Sequence, residues 1–376
     1  MRLFSRIVRY ARISLKTRPL WGIYRPPILV LFLNSICNLR CEHCCYWRKL
    51  NRKDDLSVEE ILSLARELGR LEILAISGGE PFLREGFSDI CRCYIENNQL
   101  GEIYVPTNAY FTERIVKAVG EVLKDSSLKL FVVEISLDGM IEFHNRFRGS
   151  NHSFQKAMDT YDALKELQKH DSRLRIHAVS TVSAANVNDV YELTGFLYDR
   201  CPAIDHHNIA LIRGDRKNPS LQGPDLLKYQ NLINYTAQLW AFREKGRRGS
   251  SVEPMLQRAK VQTAEEQRQI VPCRAGVLSC VVYANGDVSV CETHPPLGNL
   301  RQKSFTDIWL SEKAQALRRS IHNKECYCTN EIFLWPSITF QPWQLAKYMW
   351  QAKVWKNPKP LKQEEKLKVL PIKEAI

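Results

Sequence analysis

The feature that most restricts the fold of this chain is a repeated alternation of short apolar runs with longer amphipathic stretches, which begins at Leu29. Ser57 and Glu60 form a capping box at the start of the first amphipathic stretch. Strands are predicted at 28–33, 71–76, 102–106, 130–137, 174–182 and 207–212, and helices at 58–69, 112–123, 153–169 and 188–200. Six such repeats predict an α/β fold, a partial (β/α)6 TIM-like barrel, with ligands at the carboxyl ends of its strands.

The composition predicts one large domain and a smaller one, because 376 residues with 44% hydrophobic content can bury a full core. The longest apolar run, Ile28–Leu33, is far shorter than the roughly 20 residues of a membrane-spanning helix, and we find no secretory signal. We therefore expect a cytoplasmic protein. The predicted division is a basic amphipathic N-terminal segment at 1–27, a core domain at 28–245, a polar connector at 246–270, a small α+β module with cysteines at 271–332, and a tail rich in Trp and Lys at 333–376.

The net charge of +13 is concentrated at the two ends of the chain. Residues 1–27 carry seven basic side chains and no acidic ones, and residues 342–376 carry eight lysines and three glutamates. The two ends together hold twelve of the thirteen positive charges, so the middle is nearly neutral. This distribution argues against a nucleic-acid groove through the core.

Twelve cysteines in a chain expected in a reducing compartment indicate metal-bound thiolates rather than disulfides. Three of them, Cys37, Cys41 and Cys44, follow the first predicted strand in the stretch "CNLRCEHC". A structural zinc site uses four ligands, so zinc would need a distant fourth group. A 4Fe-4S cluster held by three cysteines instead leaves one iron free to bind another molecule.

Further motifs follow these cysteines in order along the chain. They are "SGGEP" (Ser77–Pro81) after the second predicted strand, "TN" (Thr107, Asn108) after the third, "ISLDG" (Ile135–Gly139) at the end of the fourth, and then "HNRFRG" (His144–Gly149). Together with the Cys-x3-Cys-x2-Cys motif, this set resembles the radical S-adenosylmethionine (SAM) enzymes, in the branch that carries an auxiliary-cluster domain of the SPASM or twitch type. The resemblance covers 28–215 well and 271–330 in part, so that 28–245 would be the radical SAM core domain.

The resemblance implies that a 4Fe-4S cluster on the three cysteines binds SAM and cleaves it to a 5'-deoxyadenosyl radical, which abstracts hydrogen from an unactivated C–H bond. It places Gly78 and Gly79 at the methionine amino group with Glu80 nearby, Ser136 at the ribose or carboxylate, Arg148 at the carboxylate and His43 near the adenine. Pro81, Asn108 and Asp138 are further implied SAM-binding residues. The alternatives are that the two glycines form only a turn, that Ser136 and Asp138 form another turn, and that Arg148 is a solvated surface side chain.

The module at 271–332 has the pattern Cys273-x12-Gly286-x4-Cys291, followed by Cys326 and Cys328. It resembles the opening of the SPASM or twitch fold, in which the glycine turns a β-hairpin. These four thiolates would ligate every iron of a second, auxiliary 4Fe-4S cluster, and a zinc site on the same residues is the alternative. Only five cysteines follow residue 270, which favours one auxiliary cluster, closer to the twitch type. Cys280 is expected to be a buried thiol or a spare ligand.

Several other residues remain without a firm role at this stage. Glu134 and Asp138 lie where a base could act, although a part in the architecture of the SAM site is the favoured interpretation. The remaining cysteines, Cys45, Cys91, Cys93 and Cys201, receive no role.

The two basic ends resemble amphipathic segments that lie on anionic lipid. In residues 2–16 the apolar side chains fall on one helical face, and four of the eight tryptophans lie within 335–355 among lysines. Peripheral contact with the inner face of the membrane is therefore one expectation. The alternatives are that both ends pack on the barrel, or that they attract an acidic peptide or carrier.

The sequence thus predicts a radical SAM enzyme that oxidises its substrate with the help of one auxiliary cluster and takes electrons from an external donor such as flavodoxin or ferredoxin. The substrate could be a ribosomal peptide, a small polyol or aminocyclitol, or a lipid. Only 27 residues precede the first strand, too few for the winged-helix domain of many peptide maturases, which counts against a peptide. The alternative from another class is a non-catalytic iron-sulfur electron carrier.

Overall fold

The computed structural model describes residues 2–15, 17, 25–244 and 252–354. The strands are β1 (Ile28–Phe32), β2 (Ile73–Ser77), β3 (Glu102–Thr107), β4 (Leu130–Ser136), β5 (Leu174–Val182), β6 (Ile204–Leu211), β7 (Ser279–Val282), β8 (Asp287–Ser289) and β9 (Gly298–Asn299). The helices are α1 (Arg2–Leu15), α2 (Val58–Leu68), α3 (Phe87–Asn98), α4 (Thr112–Leu123), α5 (Ile141–Arg148), α6 (Ser153–His170), α7 (Val187–Arg200), α8 (Leu226–Glu244), α9 (Glu253–Glu266), α10 (Phe305–Leu310), α11 (Glu312–His322), α12 (Glu331–Thr339) and α13 (Pro342–Val354).

The predicted α/β fold is confirmed. All six predicted strands and all four predicted helices are present, and β5 and α4 have the predicted bounds. The capping box before α2 is formed in full, because Ser57 accepts from the Glu60 amide while the Glu60 carboxylate accepts from the Ser57 amide. Every residue of β1 is buried, as expected for a strand of a parallel sheet that is covered on both faces.

The C-terminal module continues the sheet of the barrel rather than standing apart from it. The strand order is β6-β5-β4-β3-β2-β1-β7-β8-β9. Strand β7 pairs in parallel with β1, and β8 and β9 then add antiparallel strands. Gly286 turns the β7–β8 hairpin with a φ of 88°, a conformation that favours glycine. One continuous sheet therefore joins the loops that carry the two sets of cysteines.

The segment predicted as a polar connector contains helix α9, which packs against α8 and α12. Its most buried polar group is Lys260, which is fully buried, donates to the Ile209 carbonyl (2.7 Å) and pairs with Glu331. The polar composition of 246–270 therefore reflects an internal ion pair and not only exposure to solvent. The part of this segment from 246 to 251 lies outside the described residues.

The N-terminal helix packs on the barrel at the amino ends of its strands. Arg9 pairs with Glu72, just before β2, and with Glu102 at the start of β3 (2.9 Å). Arg12 also pairs with Glu72, and Ile13 is buried in a small apolar cluster with Leu278 and Phe340. Residues 7–15 therefore pack on the barrel, which is the alternative to lipid contact that was stated for this end. Trp355 and the lysines beyond it lie outside the described residues.

No helix within the described ranges is long and apolar enough to cross a bilayer.

Candidate functional site

The loop after β1 carries Cys37, Cys41 and Cys44 and is held in shape by a side chain from farther along the chain. Asn51 accepts a hydrogen bond from the Cys37 amide (3.0 Å) and donates one to the Cys37 carbonyl (3.2 Å). Both backbone groups of the first cysteine are therefore fixed by one amide side chain.

Two other segments bind the backbone between the cysteines. The amides of Arg40 and Glu42 donate to carbonyls at the end of α5, Arg148 (3.2 Å) and Phe147 (2.9 Å). From the segment after β6, the Lys217 amide donates to the Cys44 carbonyl (3.2 Å). The loop is thus clamped between α5 and the far end of the barrel.

Gly78 and Gly79 lie against the backbone of the cysteine loop. A Cβ atom on Gly79 would lie 2.2 Å from the Ile36 carbonyl oxygen, and one on Gly78 would lie 2.4 Å from the Asn34 carbonyl oxygen. The Gly79 amide donates to the Asn34 carbonyl (3.0 Å), and the Glu80 amide donates to the Ile36 carbonyl (2.7 Å). The need for glycine at both positions therefore comes from contact with this loop.

Glu80 links the turn after β2 to the end of β3. Its carboxylate accepts from Thr107 Oγ1 (2.8 Å) and from the amides of Asn108 (2.8 Å) and Phe82 (3.3 Å). Burial raises the pKa of the Glu80 carboxyl to about 7, against these donors, which favour the ionised form. Pro81, which follows Glu80 in the chain, is buried. The Asn108 side chain lies 4.0 Å from Cys37 Sγ. Asn108, a predicted SAM-binding residue, thus lies next to a thiol that is expected to hold the cluster.

Asp138 and Arg148 form a buried ion pair between β4 and the cysteine loop. Arg148 donates through Nε (2.8 Å) and Nη2 (2.7 Å) to one carboxylate oxygen, and the Thr181 amide donates to the other (2.8 Å). Burial alone would raise the pKa of Asp138, but Arg148 and then His43 bring it below its usual value. Arg148 is 5% exposed, so the alternative of a solvated surface arginine is wrong.

His43 lies beside this ion pair, and Ser136 lies at the end of the strand that leads to it. The His43 ring stacks on Phe147 (4.9 Å between centroids), and its Nε2 lies 3.7 Å from Asp138. His43 Nδ1 is buried and has no hydrogen-bond partner within the described part of the chain. A buried nitrogen without a partner is what a side chain that awaits a bound molecule would show. Ser136 is half-buried at the carboxyl end of β4.

The three thiols of the loop are suited to a positively charged group. Burial raises the pKa of Cys37 to about 11, that of Cys44 to about 12, and that of Cys41 in the same direction. Buried thiolates are therefore costly unless iron compensates their charge. Free thiols at these positions, clamped in one loop, fit a 4Fe-4S cluster with one open iron.

The four C-terminal cysteines line one cavity, although they come from three separate parts of the chain. About 420 Å³ of space, part of it open to solvent, is lined by Cys273, Cys291, Cys326 and Cys328 together with His294. Burial raises the pKa of Cys273 to about 12 and that of Cys328 to about 11. In the described ranges, no three Cys, His, Asp or Glu side chains converge tightly enough to hold one metal ion. Four thiols that line one cavity can supply the ligands of a 4Fe-4S cluster, and they also match the ligand set of the zinc alternative.

Gln269 organises this cavity. Its side chain accepts from the Cys273 amide (3.0 Å), donates to the Ile321 carbonyl (3.0 Å) and lies 3.7 Å from Cys326 Sγ. His294 Nε2 is buried without a partner among the residues that the structure describes. Neither residue was predicted, because nothing in the local sequence links Gln269 to a cysteine 57 positions away.

The other cysteines lie away from both sites or at their edge. Cys280 is fully buried on β7, with its thiol 3.9 Å from the Ile28 carbonyl. Cys91 and Cys201 are buried, Cys93 is half-buried on the same helix as Cys91, and Cys45 is exposed. The spacing of Cys91 and Cys93 puts them on different faces of α3.

Two family models match the chain. The radical SAM superfamily model covers residues 32–194, and the SPASM model, described as an iron-sulfur cluster-binding domain, covers residues 273–330. The chain therefore belongs to the radical SAM superfamily and carries a SPASM domain. Its radical SAM domain binds SAM and a 4Fe-4S cluster, and its SPASM domain binds additional iron-sulfur.

Two curated relatives align with most of the chain. The sporulation killing factor maturation protein SkfB of Bacillus subtilis (strain 168) is 24% identical over 329 residues, which cover 85% of this chain and 73% of SkfB. The Fe-coproporphyrin III synthase of Methanosarcina barkeri (strain Fusaro / DSM 804) is 24% identical over 321 residues, covering 78% of this chain and 76% of that protein.

Solved structures share the fold. Native anSMEcpe with bound AdoMet has a TM-score of 0.58 at 15% identity and covers 87% of this chain and 99% of its own. SuiB of Streptococcus suis bound to the precursor peptide SuiA has a TM-score of 0.55 at 18% identity and covers 84% of this chain and 71% of its own.

Proposed function

We propose that this chain is a peptide-modifying radical SAM enzyme that reductively cleaves SAM to a 5'-deoxyadenosyl radical and abstracts hydrogen from a C–H bond of a peptide. The observation that carries the proposal is the clamped loop with Cys37, Cys41 and Cys44 beside the buried Asp138–Arg148 pair. A 4Fe-4S cluster at this loop would supply the single electron for SAM cleavage. An external donor such as flavodoxin or ferredoxin would reduce it.

The chain's own residues bind and orient the cosubstrate in this proposal. Arg148 is fixed by Asp138, so that it can offer its remaining donors to a carboxylate. Asn108, next to Cys37 Sγ, would contact the amino acid of SAM, and His43 Nδ1, which has no partner within the described residues, would contact the adenine. Asp138 and Arg148 are buried, so water would be kept from this part of the site.

Peptide substrates are favoured by the names of the relatives. SkfB is named as a maturation protein, and SuiB was solved with a precursor peptide. These names support a peptide substrate, the class against which the short N-terminal segment had counted. The Fe-coproporphyrin III synthase has the same identity to this chain as SkfB, so a tetrapyrrole is the alternative substrate class. Modification of a tetrapyrrole instead of a peptide would overturn the peptide proposal.

The primary test is anaerobic incubation of the reconstituted protein with SAM and dithionite, followed by chromatography of the nucleosides. We expect 5'-deoxyadenosine from the wild-type protein and from Cys45→Ala, but not from Cys37→Ala. A wild-type protein that forms no 5'-deoxyadenosine with any candidate peptide or tetrapyrrole would favour the non-catalytic electron carrier.

A second candidate is action at a membrane surface, which the exposed side chains of α13 favour. Trp343 is 85% exposed and Trp350 is 70% exposed, as tryptophans of an interfacial helix would be. Against this, Arg9 and Arg12 are paired with carboxylates of the barrel and are not free to bind lipid.

Flotation of the full chain with phosphatidylglycerol vesicles tests this candidate. If the membrane is the partner, Trp343→Ala with Trp350→Ala will abolish flotation, while Phe242→Ala, an 81% exposed aromatic on α8, will not. Absence of flotation in the wild-type protein would remove the lipid proposal.

A further inference from the structure

A row of three titratable side chains crosses the interior of the barrel. Glu134 on β4 pairs in register with His177 on β5, and His177 pairs with His206 on β6. Register partners in a parallel sheet project from the same face. The neighbours Val133 and Ile135 point the other way, into the core shared with the helices, so the row faces the interior.

Glu134 lies directly beneath the proposed SAM site. It precedes Ser136 by two residues on β4, which places it about 7 Å deeper in the barrel. Its side chain is half-buried, and no hydrogen bond to its carboxylate is found among the described residues. A carboxylate in this position is open to a molecule inside the barrel.

Asp138, the other acidic residue on this part of the chain, cannot serve the same purpose. Both of its carboxylate oxygens are occupied by Arg148 and the Thr181 amide, and the residue is fully buried. The two carboxylates thus have different roles, one structural and one available.

The surroundings set the protonation of Glu134. Burial raises the pKa of its carboxyl to about 7, Glu331 raises it as well, and His206 lowers it. Two carboxylates lie near the row: Glu331 is paired with Lys260, and Glu253 lies 3.8 Å from His206 Nε2. On β3, the interior positions nearest Glu134 are Pro106 and Tyr104. The His177 and His206 rings are in contact edge to face (5.4 Å between centroids).

We propose that Glu134 is a catalytic residue that accepts a proton from the substrate held inside the barrel, with His206 and His177 as positioning residues. The inference rests on the proposed function and deepens it. The substrate loses a hydrogen atom from C–H to the 5'-deoxyadenosyl radical, a proton to Glu134, and one electron to the iron-sulfur group of the SPASM domain. It therefore carries a hydroxyl, thiol or amide proton next to the carbon that loses hydrogen.

The first test uses a pool of synthetic peptides that present Ser, Thr, Cys or Asn, with SAM and dithionite. We expect wild-type protein to yield 5'-deoxyadenosine and a peptide two hydrogens lighter. Glu134→Gln should keep 5'-deoxyadenosine but lose about 10²-fold or more of the modified peptide, and Glu134→Asp should restore part of it. Glu166→Gln, an exposed glutamate on α6, is the matched control and should equal wild type. Modified peptide at the wild-type rate from Glu134→Gln would overturn the assignment.

The second test does not depend on turnover. Infrared difference spectra between wild type and Glu134→Gln should show a protonated carboxyl band that disappears with a midpoint near pH 7 as the pH rises. His206→Gln should move the midpoint upward, because His206 lowers the pKa of Glu134. The yield of modified peptide should rise through the same midpoint, since the base acts unprotonated. Absence of 5'-deoxyadenosine in wild type would sink the proposed function, whereas a carboxyl that does not titrate between about pH 5 and 8 would sink only this inference.

Discussion

The two cysteine sites of this chain are assembled in opposite ways. Cys37, Cys41 and Cys44 lie within eight residues of one loop, which α5, the turn after β2 and the segment after β6 hold from outside. The four cysteines of the SPASM domain come from the segments before β7, after β8 and between α11 and α12, and they meet only because these segments are packed together.

The number of cysteine ligands at each site is related to how that site is assembled. A short loop can supply three thiols in a fixed order and leave one corner of a cluster for SAM. Ligands from distant segments can surround a cluster completely, and binding then stabilises the fold that brings them together. We therefore expect loss of a loop cysteine to affect chemistry, and loss of a SPASM cysteine to affect stability as well.

The largest effect is expected from Cys41→Ala. Iron content should fall from about eight to about four per chain, since each cluster holds four irons. Formation of 5'-deoxyadenosine should fall to background, because no open iron remains to bind SAM. Iron and sulfide analysis with nucleoside chromatography measures both. Cys45→Ala, the exposed neighbour of Cys44, is the control and should behave as wild type. Full activity in Cys41→Ala would contradict the assignment of the SAM-binding cluster to the three loop cysteines.

The next effect is expected from Cys291→Ala. It should lose about four irons, keep 5'-deoxyadenosine formation and lose peptide oxidation, and its unfolding temperature should fall. Cys280→Ala is the control, a fully buried thiol on β7 outside the cavity; it should cost about 1 kcal/mol of packing but retain all iron. If Cys291→Ala kept about eight irons, the prediction of one auxiliary cluster held by these four cysteines would be wrong.

The sequence was sufficient for those parts of the fold that have a local pattern. Strand β5, helix α4 and the Ser57 capping box could be predicted because apolar spacing and cap residues act over a few positions. The pairing of β7 with β1 could not be predicted, because Leu29 and its register partner Cys280 lie 251 residues apart and no periodicity connects them.

The candidate sites divide in the same way. The three loop cysteines form a motif, whereas Asn51 and Gln269 act through contacts that only the folded chain reveals. The segment 246–270 was predicted as a connector because it is polar. Its helix α9 buries Lys260, whose partner Glu331 is 71 residues away. Long-range ion pairs of this kind change a polar segment into a buried one.

A smaller effect is expected from Gly79→Ala, which tests the scaffold of the loop. The new Cβ would meet the Ile36 carbonyl oxygen at 2.2 Å, and backbone on both sides leaves little room to relax. We expect a loss of about 3 kcal/mol in the free energy of unfolding and weaker retention of the loop cluster, measured by urea denaturation and iron analysis. Gly120→Ala, on α4 with no atom within 4 Å, should instead stabilise by about 0.5 to 1 kcal/mol. Equal effects of the two changes would contradict the role assigned to Gly79.

The smallest effect is expected from Gln269→Leu, which tests the scaffold of the SPASM cavity. The change removes the acceptor of the Cys273 amide and the donor to the Ile321 carbonyl, at a cost of about 1 to 2 kcal/mol. Because this side chain ties two ligand-bearing segments together, a chelator should extract SPASM iron faster while the loop cluster is unchanged. Gln315→Leu removes a half-buried glutamine of α11 whose side chain donates to the Leu310 carbonyl and does not line the cavity, and it should not alter either rate. Faster extraction of iron from the loop cluster instead would mean that the two sites share one scaffold through the β1–β7 pairing. The two sites would then differ only in their number of ligands.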